Sequence, residues 1–159
     1  IITINPYGVL KGTRVDRDGY DLNRQWPHHP SLKQWLPYIK NADIVIDFHE
    51  AVGYRQCNQS NTLGQTIFTN HNTLYPWIHS TVGDINKYLE MVYNVGTCKK
   101  WAQLSDVPYA YGTLDQHCTD VGTPYILFEL AGQNDIEPLE IRFATMDIIM
   151  NKITKMAEI

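Results

Sequence analysis

Polar side chains that could carry out chemistry follow two hydrophobic runs of this sequence. Asp47 and His49 come after the run at residues 44–46, and Glu129 follows the run at residues 125–128. An unpaired carboxylate or imidazole is costly to bury, so each needs a partner or a shifted pKa. A neutral histidine can supply a nitrogen to a metal, and a nearby glutamate can act as general base. The structural alternatives are a histidine satisfied within the core and a glutamate that caps a segment or pairs with a lysine.

The stretch GYDLNRQWP at residues 19–27 contains a second dense group of polar side chains. Asp21, Asn23 and Arg24 fall within four positions and are followed by Trp26. Aspartate and asparagine commonly bend or cap a chain, so a solvated turn is the simplest interpretation. An arginine can also bind a carboxylate through two parallel hydrogen bonds. The stretch could therefore form either a solvated turn or a binding site for a carboxylate.

Alternating strand and helix patterns predict the α/β fold that would position these residues. We expect strands at residues 1–5, 42–50, 64–70 and 124–130, and helices at residues 31–41, 72–92 and 136–158. The strand at 42–50 is expected to be buried on both faces because its apolar residues are continuous. Asn72 is expected to cap the helix that starts there.

The connections between these elements are less regular in pattern. Residues 6–30 are expected to form one long loop, and a loop of that length in a compact domain is usually functional. Residues 93–123 are ambiguous, with a turn near Pro108 and a short helix from Thr113 to Cys118. Open α/β sheets bind ligands at the carboxyl ends of their strands. We therefore expect the two polar strand ends to meet the long loop in one crevice.

Composition and charge exclude several classes of partner. The 159 residues are enough for one domain, and 43% apolar with 19% charged residues is ordinary for a globular protein. The net charge of -4 argues against a nucleic acid partner. No apolar stretch approaches the roughly 20 residues that span a bilayer, so no membrane partner is expected.

The cysteines indicate the redox state of the chain, and its first residue indicates whether the chain is processed. Cys57, Cys98 and Cys118 have irregular spacing and form no metal-binding or disulfide pattern, so we expect free thiols in a reducing compartment. The chain starts at Ile1 rather than at methionine. A processed or partial polypeptide is therefore expected.

Four segments together resemble the zinc metallocarboxypeptidase superfamily, which includes the succinylglutamate desuccinylase and aspartoacylase branch. They are NPYG (5–8), RVDRDGYDLNRQWP (14–27), DIVIDFHEA (43–51) and YILFELAG (125–132). Tyr7 and Asp16 stand where the family pattern has aspartate and asparagine. The resemblance implies a carboxypeptidase-like fold, with a mixed, largely parallel sheet flanked by helices. In it, this chain would be the C-terminal part of a single catalytic domain.

The resemblance also implies a role for each matching residue. His49 would be the third zinc ligand, and Glu129 the general base that takes a proton from the attacking water. Arg14 would polarise the scissile carbonyl and help to stabilise the oxyanion. Asn23 and Arg24 would bind the free carboxylate of a peptide or N-acyl amino acid substrate.

Two further features of the family have only loose counterparts in this chain. A tyrosine closes over the substrate in the peptidase branch, and both Tyr109 and Tyr111 lie in the matching region. The segment GTLDQH at residues 112–117 resembles the lining of the side-chain pocket, with Leu114 facing it. An apolar or aromatic terminal side chain of the substrate is therefore expected.

One family motif is absent from the sequence. Family members take two zinc ligands from a His-x-x-Glu motif that precedes the Asn-Pro segment, and these 159 residues contain no such motif. His117 and Asp120 form a His-x-x-Asp, but both are expected on a helix surface. Since a catalytic zinc needs about three protein ligands, either a missing N-terminal segment supplies the others or the chain is not a working zinc enzyme.

Three functions therefore stay open. The first is a zinc-dependent carboxypeptidase that removes a C-terminal residue, which is the one we favour. The second is an amidohydrolase for N-acyl amino acids. The third is a non-catalytic module that has lost the first two zinc ligands.

Overall fold

A four-stranded mixed sheet flanked by helices organises the residues that the structure describes. The structure is a computed structural model that describes residues 3–57, 63–104, 110–133 and 137–156. Strands β1 to β4 are Val45–Val52, Thr66–Thr69, Ala102–Leu104 and Tyr125–Gln133. Helices α1 to α5 are Pro6–Lys11, Leu36–Lys40, Tyr75–Tyr93, Leu114–Val121 and Leu139–Met156. Short 3-10 helices are Leu22–Arg24, Pro30–Trp35, Asn72–Leu74 and Thr97–Lys99.

Among the described residues, the strand order in the sheet is β1-β4-β2-β3, with β1 and β3 at the two ends of that order. Strands β2 and β3 are parallel, with Thr66 opposite Ala102. Strands β2 and β4 are antiparallel, with Thr66 opposite Glu129. The predicted α/β fold with a mixed sheet and flanking helices is confirmed.

The chain divides into two compact units. One comprises Ile1–Val45 and Pro108–Tyr125, and the other comprises Ile46–Val107 and Ile126–Ile159. In the first, the apolar side chains of Leu22, Trp26, Leu32, Ile39 and Leu114 are buried. Each of these comes from a short helix or a turn, so this unit is held together by many short elements.

The core of the second unit lies between the sheet and the two long helices. Helix α3 buries Ile78, Ile85 and Leu89, which recur at the spacing of one helix face. Helix α5 buries Ile141 and Ile149 at the same kind of spacing. The two helices pack on each other. The periodic patterns that predicted these helices therefore reflect burial on one side.

The first segment differs from the prediction. Residues 3–5 of the predicted strand are not in a strand, and residues 1 and 2 lie outside the described part. Asn5 instead caps α1, because its Oδ1 accepts a hydrogen bond from the backbone N–H of Gly8 at 2.9 Å. Pro6 occupies the first turn of that helix, where a missing N–H is harmless. The predicted loop at 6–30 therefore contains α1 and a 3-10 turn.

Two other local predictions were wrong, and one strand in the ambiguous region 93–123 was not predicted. Strand β1 is not buried on both faces, since Phe48 and Val52 are exposed at the sheet edge. Asn72 does not cap α3, whose N-terminal boundary at Leu74 makes no side-chain cap hydrogen bond. Strand β3 was missed because its three residues are too few to make a pattern. The turn predicted near Pro108 lies outside the described residues.

A disulfide joins Cys57 to Cys98, so the expectation of free thiols was wrong for these two residues. Their separation of 41 residues hides the pairing in the sequence. The fold brings the turn after β1 to the 3-10 helix before β3, where the two side chains meet. Cys118 is buried on α4 and is not part of this bond.

None of the helices in the described ranges is long and apolar enough to cross a membrane.

Candidate functional site

His49 lies between two carboxylates on neighbouring strands. Its Nε2 atom is 3.1 Å from Oδ2 of Asp47, and its Nδ1 atom is 3.5 Å from Oε1 of Glu129. Asp47 and His49 are two positions apart on β1, so they share one face of the sheet. Glu129 comes from β4, the neighbour of β1. The sheet thus brings together the polar residues of the two runs that the sequence pointed to, but they lie within β1 and β4 rather than at the strand ends.

These three side chains are partly shielded from solvent. The side chains of His49, Asp47 and Glu129 are 30%, 20% and 10% exposed. Burial by itself lowers the pKa of His49, but the hydrogen bonds and negative charges of Asp47 and Glu129 outweigh it and raise that pKa to about 10. The imidazole is therefore neither a simple core histidine nor a solvated one.

Glu129 pairs with a histidine and caps no following segment that the structure describes. In the described part of the chain its ion-pair partner is His49, with no lysine paired to it. It lies inside β4 rather than at the start of a following segment. Glu129 is therefore placed to exchange a proton or to hold a charge beside His49.

The donor set tests whether zinc fits this site. Zinc-bound histidines usually donate their second ring N–H to a carboxylate, and Asp47 occupies that position at Nε2. Nδ1 is then the nitrogen that could bind a metal, and the metal would have to displace the proton that the raised pKa of His49 keeps on the ring. Within the described ranges, no group of three or more histidine, cysteine, aspartate or glutamate side chains could hold a metal ion. His49 thus fits one zinc ligand, but the described residues do not form a complete zinc site.

A second polar cluster lies in the other unit and contains the residues of the GYDLNRQWP stretch. Asp21 Oδ2 accepts a hydrogen bond from Nε of Arg14 at 2.7 Å. Asp21 Oδ1 accepts from the backbone N–H of Asn23 at 3.1 Å, which caps the 3-10 turn Leu22–Arg24. One carboxylate therefore fixes both the arginine and the turn. The Arg14 side chain is 63% exposed, so its guanidinium remains open to solvent.

The turn is also joined to helix α4. Oδ1 of Asn23 accepts from the backbone N–H of Leu114 at 3.0 Å. The backbone N–H of Trp26 donates a hydrogen bond to the carbonyl of Gly112 at 2.8 Å, and Gly112 has a φ of +72°. A Cβ at this glycine would lie 2.4 Å from the carbonyl oxygen of Arg24. Glycine is therefore required for the two segments to approach this closely.

The remaining residues predicted for substrate binding differ in exposure. Arg24 is exposed, and its Nη1 donates to the carbonyl of Asn23 at 2.7 Å. Tyr111 is 82% exposed, whereas Leu114 is 9% exposed. Tyr109 lies outside the described residues.

His117 was expected on a helix surface, and that expectation was wrong. It is 8% exposed and stacks on Trp26, with 5.9 Å between ring centroids. His117 shares the inner face of α4 with Leu114 and Cys118, at helical spacing. Asp120 is exposed, as predicted.

Sequence reasoning noted Asp47 and Asp21 as polar side chains but assigned neither of them a specific role in the site. Both had a usable signal, because Asp47 is two residues from His49 on a strand and so faces the same side. Asp21 comes two residues before Asn23, at the spacing of a side chain that bonds the backbone ahead of it.

No protein-family model and no curated protein sequence matches this chain. Among solved structures, the fold is similar to that of the cell shape determinant protein Csd4 from Helicobacter pylori. The mDAP-bound form, described as a D,L-carboxypeptidase, has a TM-score of 0.68 at 13% sequence identity. The tripeptide-bound form has a TM-score of 0.70 at 14% identity. Each match covers 96% of this chain and 42% of the Csd4 chain, so this chain spans about two fifths of the proteins that it matches.

Proposed function

We propose that this chain is part of a carboxypeptidase-like hydrolase that uses zinc to remove a C-terminal residue from a peptide. The observation that carries the proposal is the placement of His49 between Asp47 and Glu129 on neighbouring strands. The similarity in fold to Csd4, which is described as a D,L-carboxypeptidase, supports the same class of reaction. A similar fold can host other reactions, so the proposal depends on the site residues.

His49 would supply one zinc ligand through Nδ1, with Asp47 holding the ring in the required tautomer. The other protein ligands would come from residues outside the described part of this chain. When bound, zinc would polarise the scissile carbonyl and lower the pKa of the attacking water.

Glu129 would act as the general base. Its side chain is 10% exposed and faces His49, so a water held there would meet a carboxylate with little competing solvent. Glu129 would take a proton from that water and later transfer it to the leaving amine. Both steps need one carboxylate that stays in place, and its position inside β4 provides this.

The second cluster would bind the substrate. Asn23 uses Oδ1 for the backbone of Leu114, so its Nδ2 protons are left to donate to a substrate carboxylate. Arg24 would add a charged donor to the same carboxylate. Arg14 binds Asp21 through Nε, which leaves its terminal nitrogens to stabilise the oxyanion that forms on the scissile carbonyl.

The replacement Glu129→Gln in the full-length protein tests this proposal. It preserves the size of the side chain and removes the base, so kcat should fall by about 10²- to 10⁴-fold. Zinc content and melting temperature should stay near those of the wild type. Glu90→Gln is the matched control, because Glu90 is 61% exposed and pairs with Lys100 at the surface.

A substrate panel separates the alternatives. Peptides ending in apolar residues, a tripeptide and a peptide ending in mDAP would be compared with N-acyl amino acids. Cleavage of the peptides with loss of activity in Glu129→Gln supports the proposal. Turnover only of N-acyl amino acids would replace it with the amidohydrolase function. A wild-type protein that binds no zinc and turns over neither class would indicate a non-catalytic module.

A further inference from the structure

Glu50 follows His49 on β1, so its side chain faces the opposite side of the sheet. There it forms an ion pair with helix α5, in which Nη2 of Arg142 donates to Oε1 of Glu50. The contact therefore joins the strand of the candidate site to a helix 92 residues away in sequence.

Glu50 reaches Arg142 by lying across strand β4 at Gly132. A Cβ atom on Gly132 would be 2.6 Å from Cδ of Glu50 and 2.9 Å from its Cβ. Real Cβ atoms do not approach other heavy atoms this closely, so only glycine leaves room for Glu50. Gly132 is three residues beyond Glu129 on the same strand. The crossing point is thus close to both residues of the candidate site.

The start of helix α5 is attached to the other strands as well. The backbone N–H of Glu137 donates to the carbonyl of Ala131 on β4 at 3.2 Å. Its Oε2 accepts from Nε2 of Gln65, next to β2, at 3.1 Å. Glu137 and Gln65 are only 2% and 3% exposed. These buried contacts attach the segment just before α5 to the sheet.

Arg142 is near two carboxylates, of which that of Glu50 is exposed and that of Glu137 is buried. Glu50 is on its solvent side, with a side chain that is 49% exposed. On its inner side, Arg142 lines the same small cavity as Glu137. Among the described residues, Nε of Arg142 and Oε1 of Glu137 are buried without a hydrogen-bond partner. A cationic donor and an anionic acceptor therefore line the same cavity, next to the side of the sheet that Glu50 faces.

Among the described strands, β1 lies at an end of the strand order, and the Glu50–Arg142 ion pair attaches it to helix α5 as well. In the described sheet its neighbour is β4 alone, so its carboxyl end is supported from one side. We propose that Arg142 is a positioning residue that binds Glu50 across Gly132 and so fixes the backbone of β1 at His49 relative to Glu129. The expected effect on catalysis rests on the proposed function, whereas the expected effect on the position of His49 does not.

The variants Arg142→Met and Arg142→Lys, made in the full-length protein, test this inference. Methionine keeps much of the apolar stem and removes the charge, whereas lysine can still pair with Glu50. Lys152→Met is the matched control, because Lys152 lies on the same helix but pairs with Asp84 and bonds Ser80 on α3. A second variant, Glu50→Gln, weakens the same contact from the strand and does not alter α5.

Two readouts are measured on each variant. The first is the position of the His49 ring signals in proton–nitrogen correlation spectra, assigned by their loss in His49→Gln. The second is kcat and KM on the best peptide substrate. Arg142→Met and Glu50→Gln should shift the His49 signals and lower kcat about tenfold, with KM nearly unchanged, because misplacing a reacting group slows the chemical step. Arg142→Lys should restore both readouts, and Lys152→Met should match the wild type.

The outcomes separate the two proposals. Unchanged His49 signals in both Arg142→Met and Glu50→Gln would overturn the positioning role, whatever the activity. Shifted signals with restoration by lysine support it, even if the wild type cleaves no peptide, in which case only the proposed function fails. If Arg142→Met does not fold, the His49 signals of Glu50→Gln decide: a shift supports the positioning role, and unchanged signals overturn it.

Discussion

Oδ1 of Asn23 accepts a hydrogen bond at 3.0 Å from the backbone N–H of Leu114, which is 91 residues later in the chain. The bond connects the polar turn to the first residue of helix α4. It also fixes the orientation of the Asn23 amide, so that Nδ2 points its two protons elsewhere. Oδ1 of Asn23 thus makes a structural contact, while among the described residues no hydrogen bond of Nδ2 is present.

This geometry predicts different effects for two replacements of Asn23. Asn23→Asp keeps an oxygen for Leu114 but replaces the donor with a negative oxygen that repels a substrate carboxylate. We expect KM to rise by about 10- to 100-fold, since a hydrogen bond to a charged group contributes about 1.5–3 kcal/mol. Asn23→Ala should raise KM and also lower the free energy of unfolding. Steady-state kinetics and urea denaturation measure both quantities, and a wild-type KM in Asn23→Asp would contradict the binding role.

Asp21 is predicted to act mainly through the turn rather than through its ion pair. Asp21→Ala removes the cap of the 3-10 turn, which should lower the free energy of unfolding by about 0.5–2 kcal/mol. Asp21→Asn keeps an oxygen for the cap and loses only the charge. Because Arg14 is 63% exposed, losing this charge should lower the free energy of unfolding by less than about 1 kcal/mol. Equal destabilisation of the two variants in urea would show instead that the ion pair dominates.

The disulfide predicts a stability that depends on redox conditions. Reduction, or the double replacement Cys57→Ser with Cys98→Ser, should lower the free energy of unfolding by about 2–4 kcal/mol. The cause is the freedom that the unfolded chain regains when the closed loop of 41 residues opens. Thermal unfolding with and without a reducing agent measures this. The double variant is its own control, because a reducing agent should not change its melting temperature, and a wild type insensitive to reduction would contradict the prediction.

Elements that are fixed by burial were predictable from the sequence. Ile126 and Phe128 of β4 are fully buried, and their continuous apolar run marked this strand correctly. Helix α3 was visible for the same reason, since Ile78 and Ile85 recur on one face. His49 and Glu129 were identified because a polar residue after a buried run needs an explanation, and each is the partner that the other required.

Features that depend on a distant partner could not be predicted. The sequence around Cys57 contains nothing that points to Cys98, and only the folded chain brings them together. Asn5 looked like the end of a strand because its role as a helix cap depends on the backbone of Gly8. His117 looked like a surface residue because its stacking partner, Trp26, lies 91 positions earlier. In each case the deciding contact is not local in sequence.

The burial of His117 shifts its protonation equilibrium. Desolvation lowers the pKa of His117, the charge of Asp120 acts in the opposite direction, and His28 lowers it further. Within the described residues, Nε2 is buried without a hydrogen-bond partner, so a proton there would have no acceptor. The folded protein therefore favours the neutral imidazole.

This shift predicts that acid destabilises the fold through His117. In the unfolded chain a histidine takes up its proton near pH 6.5, and the folded pKa is lower, so the unfolded state binds more protons between the two values. The stabilisation from the neutral ring is complete above about pH 6.5 and is lost as the pH falls through that window. His117→Phe keeps an aromatic ring on Trp26 and cannot titrate. Urea denaturation between about pH 7 and 5 should show the wild type losing stability relative to His117→Phe. Asp120→Asn removes the charge that raises this pKa, so its loss of stability in acid should be larger. Parallel pH profiles for the wild type and His117→Phe would contradict the prediction.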